Sequence, residues 1–406
     1  MTTTPASLQT LAIDGGSPVR STLLPYGRQS VEEADIQAVV EVLRSDWLTT
    51  GPKIAEFEEA FAAYVGATHA ISFSSGTAAL HAAAFTADLK AGDQAITTPL
   101  TFAATGNCIL YQGATPVFAD VSPDTLNLNP EKFAERITPK TRAVFPVDYA
   151  GHPADLTAIL EIARKHGLIV IEDACHALGA ENKGVRVGSI ADMTVFSFHP
   201  VKHITTGEGG MVTTNNPHFA ETLRRFRNHG ISSDARQRHS AGQWYYEMVL
   251  LGFNYRLPDI VCALGLQQLK RLESNLARRR AVANRYTAVF RDMLGIVPPA
   301  VRSEVNPAWH LYPIRLDLKT FVVDRAQIFR ALRAENIGVN VHYIPVHWHP
   351  YYRERFGYKG GEFRVAEDAY AQLISLPMFH GMSNQDVEDV ILAVRKVLRH
   401  YASYTV

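Results

Sequence analysis

Short apolar runs recur along the first half of the chain, and segments with helical spacing of apolar residues separate most of them. The runs that favour strands are 70–73, 95–98, 116–119, 143–147, 169–172, 194–197 and 210–214. Apolar residues at intervals of three and four predict helices between them, for example over 77–86, 130–136 and 156–166. Strands that alternate with helices predict an α/β fold with a mostly parallel central sheet, whose nearly continuous apolar strands are buried on both faces.

The two ends of the chain differ from this alternating region. Turn-forming residues near the N-terminus are typical of an arm, and a helix is predicted from Val31 to Leu43 with Ser30 and Glu33 as its capping box. Extended runs, including 339–343, share the C-terminal part with helical stretches. We therefore expect an N-terminal arm (1–24), a large domain (25–257), a connecting helix (258–299) and a smaller α+β C-terminal domain (300–406).

Composition excludes several classes of protein. Hydrophobic residues make up 47% of the 406 residues, which is typical of a globular protein with a sizeable core. Lysine plus arginine and aspartate plus glutamate balance at 40 each, so no overall charge favours nucleic acid or an anionic membrane. Three scattered cysteines do not form a disulfide or zinc framework, and we expect no metal. The N-terminus has no basic start followed by an apolar segment, and no apolar run reaches the roughly 18 residues of a membrane span, so we expect a cytoplasmic protein.

One lysine and one aspartate stand at positions that indicate cofactor chemistry. Lys202 lies in the segment SFHPVKHITTGEGG, a turn rich in small and hydroxyl residues that begins at Ser197. Asp173 ends an apolar strand, and such strand ends line the crevice where α/β sheets bind ligands. Pyridoxal 5′-phosphate requires a lysine that bonds to it and a carboxylate that keeps its pyridine nitrogen protonated. A solvated loop lysine, and a cap or structural ion pair for Asp173, are the alternatives.

A phosphate-binding turn is the third part of this set. The sequence SSGTA, 74–78, follows a short strand and opens a helix, whose first amides form an anion site. Many strand-to-helix turns have a similar sequence, so this turn supports a phosphate-binding site only in combination with Lys202. Phe102 could stack on the pyridine ring or be an ordinary core aromatic.

Several separate blocks together resemble a known family. The blocks SSGTAA, TPLTFAAT, FPVDYAGHPADL, VIEDACHALGA, FSFHPVKHITTGEGG and GFNYRLPDI are similar, in order and spacing, to those of the DegT/DnrJ/EryC1/StrS sugar-nucleotide aminotransferases. The resemblance implies a type I aminotransferase fold, pyridoxal 5′-phosphate as cofactor, and a homodimer with two shared active sites. It implies that Lys202 bonds to the cofactor and that the cofactor-binding residues include Gly76, Thr77, Ala78, Asp173, His176, Ser197 and, from the neighbouring subunit, Asn254.

Substrate positions follow from the same resemblance. The matching segments contain Tyr26, Asp46, Trp47, Leu48, Thr49, His310, His342, Tyr343, Ile344 and Pro345. Each could contact the sugar nucleotide or could simply pack or cap a turn, and His347 has the same two interpretations. The arginine clusters 224–227 and 278–280 are expected to be solvated helix faces, with contact to a diphosphate as the alternative.

The resemblance also implies a reaction. The lysine block is most similar to enzymes that aminate carbon 4 of a UDP-linked 4-keto-6-deoxy-N-acetylhexosamine on the way to pseudaminic acid, with L-glutamate as donor. The arm, by contrast, is similar to cyclitol and antibiotic-sugar aminotransferases, so a dTDP- or GDP-linked keto sugar, a 4-amino-arabinose precursor or a cyclitol are alternatives. Lys202 argues against a dehydratase of this fold, which carries histidine there. A cofactor-binding regulator would need a DNA-binding module, and a dinucleotide-binding oxidoreductase would need an early G-x-G-x-x-G.

Overall fold

The computed structural model describes residues 10–232 and 242–403, so the first nine residues of the expected arm lie outside the described residues. The strands are β1 (His69–Phe73), β2 (Gln94–Thr97), β3 (Thr115–Phe118), β4 (Thr141–Phe145), β5 (Ile169–Asp173), β6 (Glu181–Asn182), β7 (Val185–Arg186), β8 (Met193–Ser197), β9 (Gly210–Thr214), β10 (Ile296–Val297), β11 (Val305–Asn306), β12 (Tyr312–Leu316) and β13 (Leu373–Leu376). The helices are α1 (Glu33–Leu43), α2 (Pro52–Val65), α3 (Gly76–Thr86), α4 (Ala103–Tyr111), α5 (Pro130–Glu135), α6 (Leu156–Lys165), α7 (Pro217–Phe226), α8 (Asp259–Lys270), α9 (Leu272–Phe290), α10 (Arg325–Ala334), α11 (Pro350–Phe356), α12 (Arg364–Gln372) and α13 (Asn384–Tyr401).

A seven-stranded sheet in the order β1-β9-β8-β5-β4-β2-β3 forms the centre of the larger part. The pairs from β8 to β3 are parallel, and β9 is antiparallel to both of its neighbours. Alternate residues of a strand enter different cores: Ile171 packs with α3 and α4, whereas Val170 packs with α5 and α6. Both faces are therefore covered by helices, and the α/β class predicted from the sequence is confirmed.

A three-stranded antiparallel sheet, β10-β12-β13, forms the centre of the C-terminal part. Its core includes residues of α9, α10 and α13, together with Leu11 and Leu24 from the N-terminal segment. Buried Glu335 fixes that segment by accepting hydrogen bonds from the amides of Ala12 and Val19, each at 2.9 Å. The described part of the arm therefore packs on the C-terminal core. No helix of the described ranges is long and apolar enough to cross a bilayer.

The capping box expected at Ser30 and Glu33 is wrong. The helix begins at Glu33, where Glu32 and Asp35 form the box instead, with the Glu32 amide 2.8 Å from the Asp35 carboxylate. The Ser30 carbonyl accepts a hydrogen bond from the Gln268 side chain, because this part of the chain lies against α8. The capping motif was therefore assigned two residues too early.

Two other expectations differ from the structure. The connecting helix expected over 258–299 is two helices, α8 and α9, separated at Arg271, whose guanidinium pairs with Asp35 at 2.7 Å. The extended run over 339–343 is not a strand. Only Asn340 pairs there, with Ser375, because the chain then turns away.

Candidate active site

Lys202 lies in the turn between β8 and β9, partly buried, with its Nζ 3.5 Å from Nε2 of His310. Burial lowers the pKa of Lys202, so its amine gives up a proton more readily than a surface lysine. Burial and the Lys202 charge hold the pKa of His310 well below its ordinary value. His310 is therefore a neutral imidazole that can accept a hydrogen bond from the lysine. It is one of the residues expected to contact substrate, and the structure places it beside the amine.

Asp173 ends β5, the strand beside β8, and its side chain is buried. Its Oδ2 accepts a hydrogen bond from Thr105 Oγ1 at 2.7 Å, and its Oδ1 accepts one from the Cys175 amide at 3.2 Å. These donors fix the carboxylate in one orientation. Thr105 lies on α4 and was not among the predicted site residues, although the block TPLTFAAT contains it three residues after Phe102.

The N-terminus of α3 meets the ends of β8 and β9 in a close-packed cradle. A Cβ on Gly76 would come within 3.0 Å of Ser197 Cβ, and one on Gly210 would come within 2.6 Å of the Ser75 carbonyl oxygen. The Ser75 hydroxyl already accepts a hydrogen bond from the Ala78 amide at 3.0 Å. The amides of Gly76 and Thr77 precede the first hydrogen bonds of the helix and, with the Thr77 and Ser197 hydroxyls, suit an anionic group.

Aromatic and imidazole rings continue from Lys202 towards the C-terminal part. The rings of His176 and His310 have centroids 4.3 Å apart, and Tyr343 Oη lies 3.0 Å from His176 Nε2. The ring of His342 lies 5.0 Å from that of Tyr343 and 5.4 Å from that of Tyr26. The structure therefore brings these predicted residues into one cluster with Lys202.

Phe102 lies at the mouth of this cluster. Its side chain is 61% exposed and its ring lies 6.1 Å from that of Tyr343, so it is not a core aromatic. Ile344, which follows Tyr343 in the chain, is exposed, whereas Pro345 is buried. An exposed aromatic face at the mouth of the pocket is suited to cover a planar ligand.

Other predicted residues make no direct contact with Lys202 in the part of the chain that the structure describes. Asp46, Trp47, Leu48 and Thr49 form an exposed turn before α2, and Thr49 lines a groove of about 790 Å³ together with Arg224 and Arg256. Asn254 is also exposed, while the carbonyl of the next residue, Tyr255, accepts a hydrogen bond from the Ser74 amide at 2.8 Å. Within the described residues, no hydrogen bond or ring contact joins 46–49 or Asn254 to Lys202.

His347 is a structural histidine. It is fully buried, and its Nε2 lies 2.9 Å from a Glu367 oxygen. Glu362 brings a third potential ligand atom to this group, with all three atoms within 4.8 Å of one another. Backbone amides of the loop before α12, at Gly361 and Phe363, donate to Glu367. The Glu362 and Glu367 carboxylates therefore hold that loop closed, since their oxygens already accept hydrogen bonds from its backbone amides.

The cluster 278–280 is not a solvated face, contrary to expectation. Arg279 is fully buried, and its Nη1 donates to the carbonyls of Trp309, His310 and Met378 at 3.0, 3.4 and 3.1 Å. Burial lowers the pKa of Arg279 to about 10. The guanidinium fixes the backbone on which His310 stands, which explains why a charged residue occupies this interior position.

These residues fit pyridoxal 5′-phosphate. A lysine whose pKa is lowered, a strand-end carboxylate with fixed oxygens, a helix N-terminal anion cradle and an exposed aromatic ring at the mouth are the donor set that this cofactor requires. The close approach of Gly76 and Gly210 to the cradle leaves no room for side chains there.

Comparisons with known proteins give independent information about the chain. A family model described as the DegT/DnrJ/EryC1/StrS aminotransferase family matches residues 29–395. The spore coat polysaccharide biosynthesis protein SpsC of Bacillus subtilis is 45% identical over 382 residues, which cover 94% of this chain and 98% of that protein.

Two solved structures are also similar. PseC of Helicobacter pylori, an aminotransferase involved in the biosynthesis of pseudoaminic acid, is 33% identical with a TM-score of 0.87, covering 94% of this chain and 100% of that one. The putative sugar aminotransferase Spr1654 of Streptococcus pneumoniae in its PLP form is 30% identical with a TM-score of 0.87, covering 93% and 99%.

Proposed function

The chain belongs to the DegT/DnrJ/EryC1/StrS aminotransferase family, and from that premise we propose that it transfers the amino group of L-glutamate to a keto-sugar nucleotide. It is a pyridoxal 5′-phosphate-dependent transferase with an aminotransferase fold. The observation that carries the proposal is the cluster in which Lys202, His310 and the fixed carboxylate of Asp173 meet the cradle at α3.

Each residue of the pocket has one task in this proposal. Pyridoxal 5′-phosphate supplies the reactive carbonyl and the electron sink of transamination. Lys202 would hold the cofactor, and its amine, with its lowered pKa, would be suited to accept a proton from the donor's α-carbon. Asp173 holds the proton on the pyridine nitrogen. The cradle residues Gly76, Thr77 and Ser197 hold the phosphate.

His176, three residues after Asp173, has its Nε2 hydrogen-bonded to Tyr343 and packs against the cofactor ring in this proposal. Phe102 covers the opposite side, at the mouth. Ala78 contributes by closing the cradle through its bond to Ser75 rather than by donating to the phosphate. These assignments extend the family resemblance by the contacts of this chain.

The complete site requires two subunits in this proposal. Asn254 and the turn 46–49 are exposed and make no hydrogen bond or ring contact with their own Lys202, which suits residues that reach a neighbouring subunit's site. The amide of Asn254 would add a donor to the partner's phosphate cradle without adding charge. We therefore propose a homodimer with shared sites. We also propose that it acts in the cytoplasm.

For the substrate, we propose a UDP-linked 4-keto-6-deoxy-N-acetylhexosamine that is aminated at carbon 4. The lysine block of the sequence and the similarity to PseC, over nearly the full length of both chains, support this choice. Similarity to SpsC supports a role in making surface polysaccharide. Tyr26, His342 and Tyr343 line the approach to Lys202 and are the residues expected to contact the sugar.

A panel of substrates tests this proposal. The rates to compare are kcat/KM for 4-keto sugars on UDP, dTDP and GDP, a 3-keto sugar and scyllo-inosose, each with glutamate and with glutamine as donor. Each unpaired polar group costs about 1–3 kcal/mol, so the UDP-N-acetyl-4-keto sugar should exceed poor substrates by about tenfold or more per mismatched group. If another sugar is preferred, the substrate proposal is wrong although the aminotransferase assignment stands.

A further inference from the structure

Two buried carboxyl groups lie directly behind Asp173. Glu172 precedes it on β5, and Asp148 follows the end of β4, the neighbouring strand. The Asp148 amide donates to the Asp173 carbonyl at 3.1 Å, so the two segments are joined at this point. Neither Asp148 nor Glu172 has any exposed surface. Because side chains alternate along a strand, Glu172 points to the face opposite to Asp173.

If both groups are ionised, the hydrogen bonds around this pair leave two acceptor oxygens without a donor. Asp148 Oδ1 accepts from the Ala154 amide, and Glu172 Oε2 accepts from Thr194 Oγ1, each at 2.8 Å. No group in the described ranges donates to the remaining oxygens, Asp148 Oδ2 and Glu172 Oε1. The two carboxyl groups nevertheless interact directly with each other in this interior. Two carboxylates have no hydrogen to share, so the contact requires a proton.

The surroundings favour that proton. Burial, followed by the charge of Glu172, raises the pKa of Asp148 well above its ordinary value. Burial also raises the pKa of Glu172 to about 7, and the charge of Asp173 acts in the same direction. The cations that line the cavity of about 170 Å³ beside Glu172 are Lys183 and Arg186, and Arg186 is paired with Glu273 at 3.0 Å.

We propose that Asp148 and Glu172 share one proton and that, as a pair, they position Asp173. The shared proton connects the ends of β4 and β5, and through Thr194 the pair is also bound to β8, the strand that leads to Lys202. Without the proton, two like charges behind Asp173 would push these strand ends apart. The positioning role rests on the proposed function of Asp173 as the partner of the pyridine nitrogen.

The first test compares the pH dependence of holoenzyme unfolding temperatures. Because the pKa of the pair is raised in the folded state, the folded chain holds a proton that the unfolded chain releases, and wild-type stability falls as pH rises towards about 7. The variant Glu172→Gln supplies an amide N–H in place of the proton. It should unfold at a higher temperature than wild type above about pH 7, with the advantage shrinking towards about pH 5.

Glu58→Gln is the matched control. Glu58 is also nearly buried, but it pairs with Arg227, so its loss should lower the unfolding temperature across this range. A Glu172→Gln protein that loses as much stability as Glu58→Gln at every pH would overturn the shared proton. The infrared carbonyl band of a protonated carboxylic acid should be present in wild type near neutral pH and absent in the Asp148→Asn, Glu172→Gln double variant. A band of equal intensity in the double variant would also overturn it.

The positioning role is tested by measurements made at the active site itself. Glu172→Leu leaves Asp148 without its partner and should slow the half-reaction with L-glutamate by about tenfold or more, with a shifted visible absorbance of the bound cofactor. Glu172→Gln should restore the rate to within about threefold of wild type. A Glu172→Leu protein with wild-type rate and spectrum would overturn positioning. Failure of the proposed sugar reaction would leave the stability and infrared results unaffected.

Discussion

His310, His176 and Tyr343 form a line of uncharged polar groups that starts at the amine of Lys202. Burial holds the pKa values of both imidazoles well below their ordinary value and raises the pKa of Tyr343. Each group can therefore hold a hydrogen bond without adding charge to the pocket. Lys202, whose pKa is lowered, remains the group whose charge can change with the reaction.

Removing the hydroxyl of Tyr343 tests this line at the level of one atom. Tyr343→Phe removes the 3.0 Å contact to His176, and the loss of one hydrogen bond between neutral groups costs about 1 kcal/mol. We expect kcat/KM to fall by about fivefold, with the fold intact. Tyr352→Phe makes the same change at a hydroxyl that donates to Asn107, and it should leave kcat/KM unchanged. Equal effects of the two variants would contradict the role given to Tyr343.

At the scale of the element, the start of α2 is held by a residue of α8. The buried Asp259 carboxylate accepts hydrogen bonds from the amides of Gly51 and Lys53 at 2.7 and 2.8 Å. A carboxylate is favoured there by the first amides of α2. This contact sets the position of the turn 46–49, which leads directly into the helix.

Asp259→Ala should therefore loosen the turn. We expect a loss of about 1–2 kcal/mol in the free energy of unfolding and a several-fold rise in KM for the sugar nucleotide, with cofactor affinity unchanged. The matched control is Asp324→Ala, which removes the side chain that caps α10 through the Gln327 amide. Asp324→Ala should lower the free energy of unfolding by a similar amount and leave KM for the sugar nucleotide unchanged. An unchanged KM in Asp259→Ala would show that the turn 46–49 is not part of the substrate site.

The strands of the central sheet were predictable because most of them are buried on both faces, so that apolar runs such as those of β5 and β8 stand out from their flanks. Helix α4 was not predicted. Its sequence, AATGNCILY, mixes small, polar and apolar residues without a polar face, because most of the helix is buried. The capping box failed for a related reason: Ser30 has the right chemistry, but its segment is committed to a contact with α8. Tertiary contacts therefore decided the cases in which local pattern failed.

The candidate site likewise contains residues that could be predicted from the sequence and residues that could not. Lys202, Asp173 and the turn 74–78 could be identified because each follows or ends a strand and has a chemically distinctive side chain or neighbours. Thr105, Arg279 and the pair Asp148 and Glu172 could not, since their importance depends on burial and on partners distant in the chain. Arg279 was also predicted to lie on the surface, but three backbone carbonyls, rather than a carboxylate, accept hydrogen bonds from its buried guanidinium.

At the scale of the whole molecule, helix α9 belongs to both cores. Leu272 and Leu276 pack in the core of the large part, whereas Tyr286 and Phe290 pack in the core of the C-terminal part. Arg279, between them, reaches the backbone of His310. One helix therefore sets the relation between the two cores and the pocket at Lys202.

Subunit mixing tests the proposed sharing of sites. Lys202→Ala and Asn254→Asp chains should each be inactive alone. After equal mixing and exchange, half of the dimers are mixed and each has one intact site of two, which predicts recovery of about a quarter of wild-type activity. Verified exchange without recovery would place Asn254 in its own chain's site or outside the site.

The central claim is that Lys202 bears the cofactor, and reduction of the holoenzyme with borohydride tests it most directly. The yellow colour should bleach, and mass spectrometry of the digested protein should find the reduced cofactor on the peptide that contains Lys202. The Lys202→Ala protein should carry no label and show no turnover of keto sugar with glutamate. Label on a different lysine, or turnover by Lys202→Ala, would contradict the account.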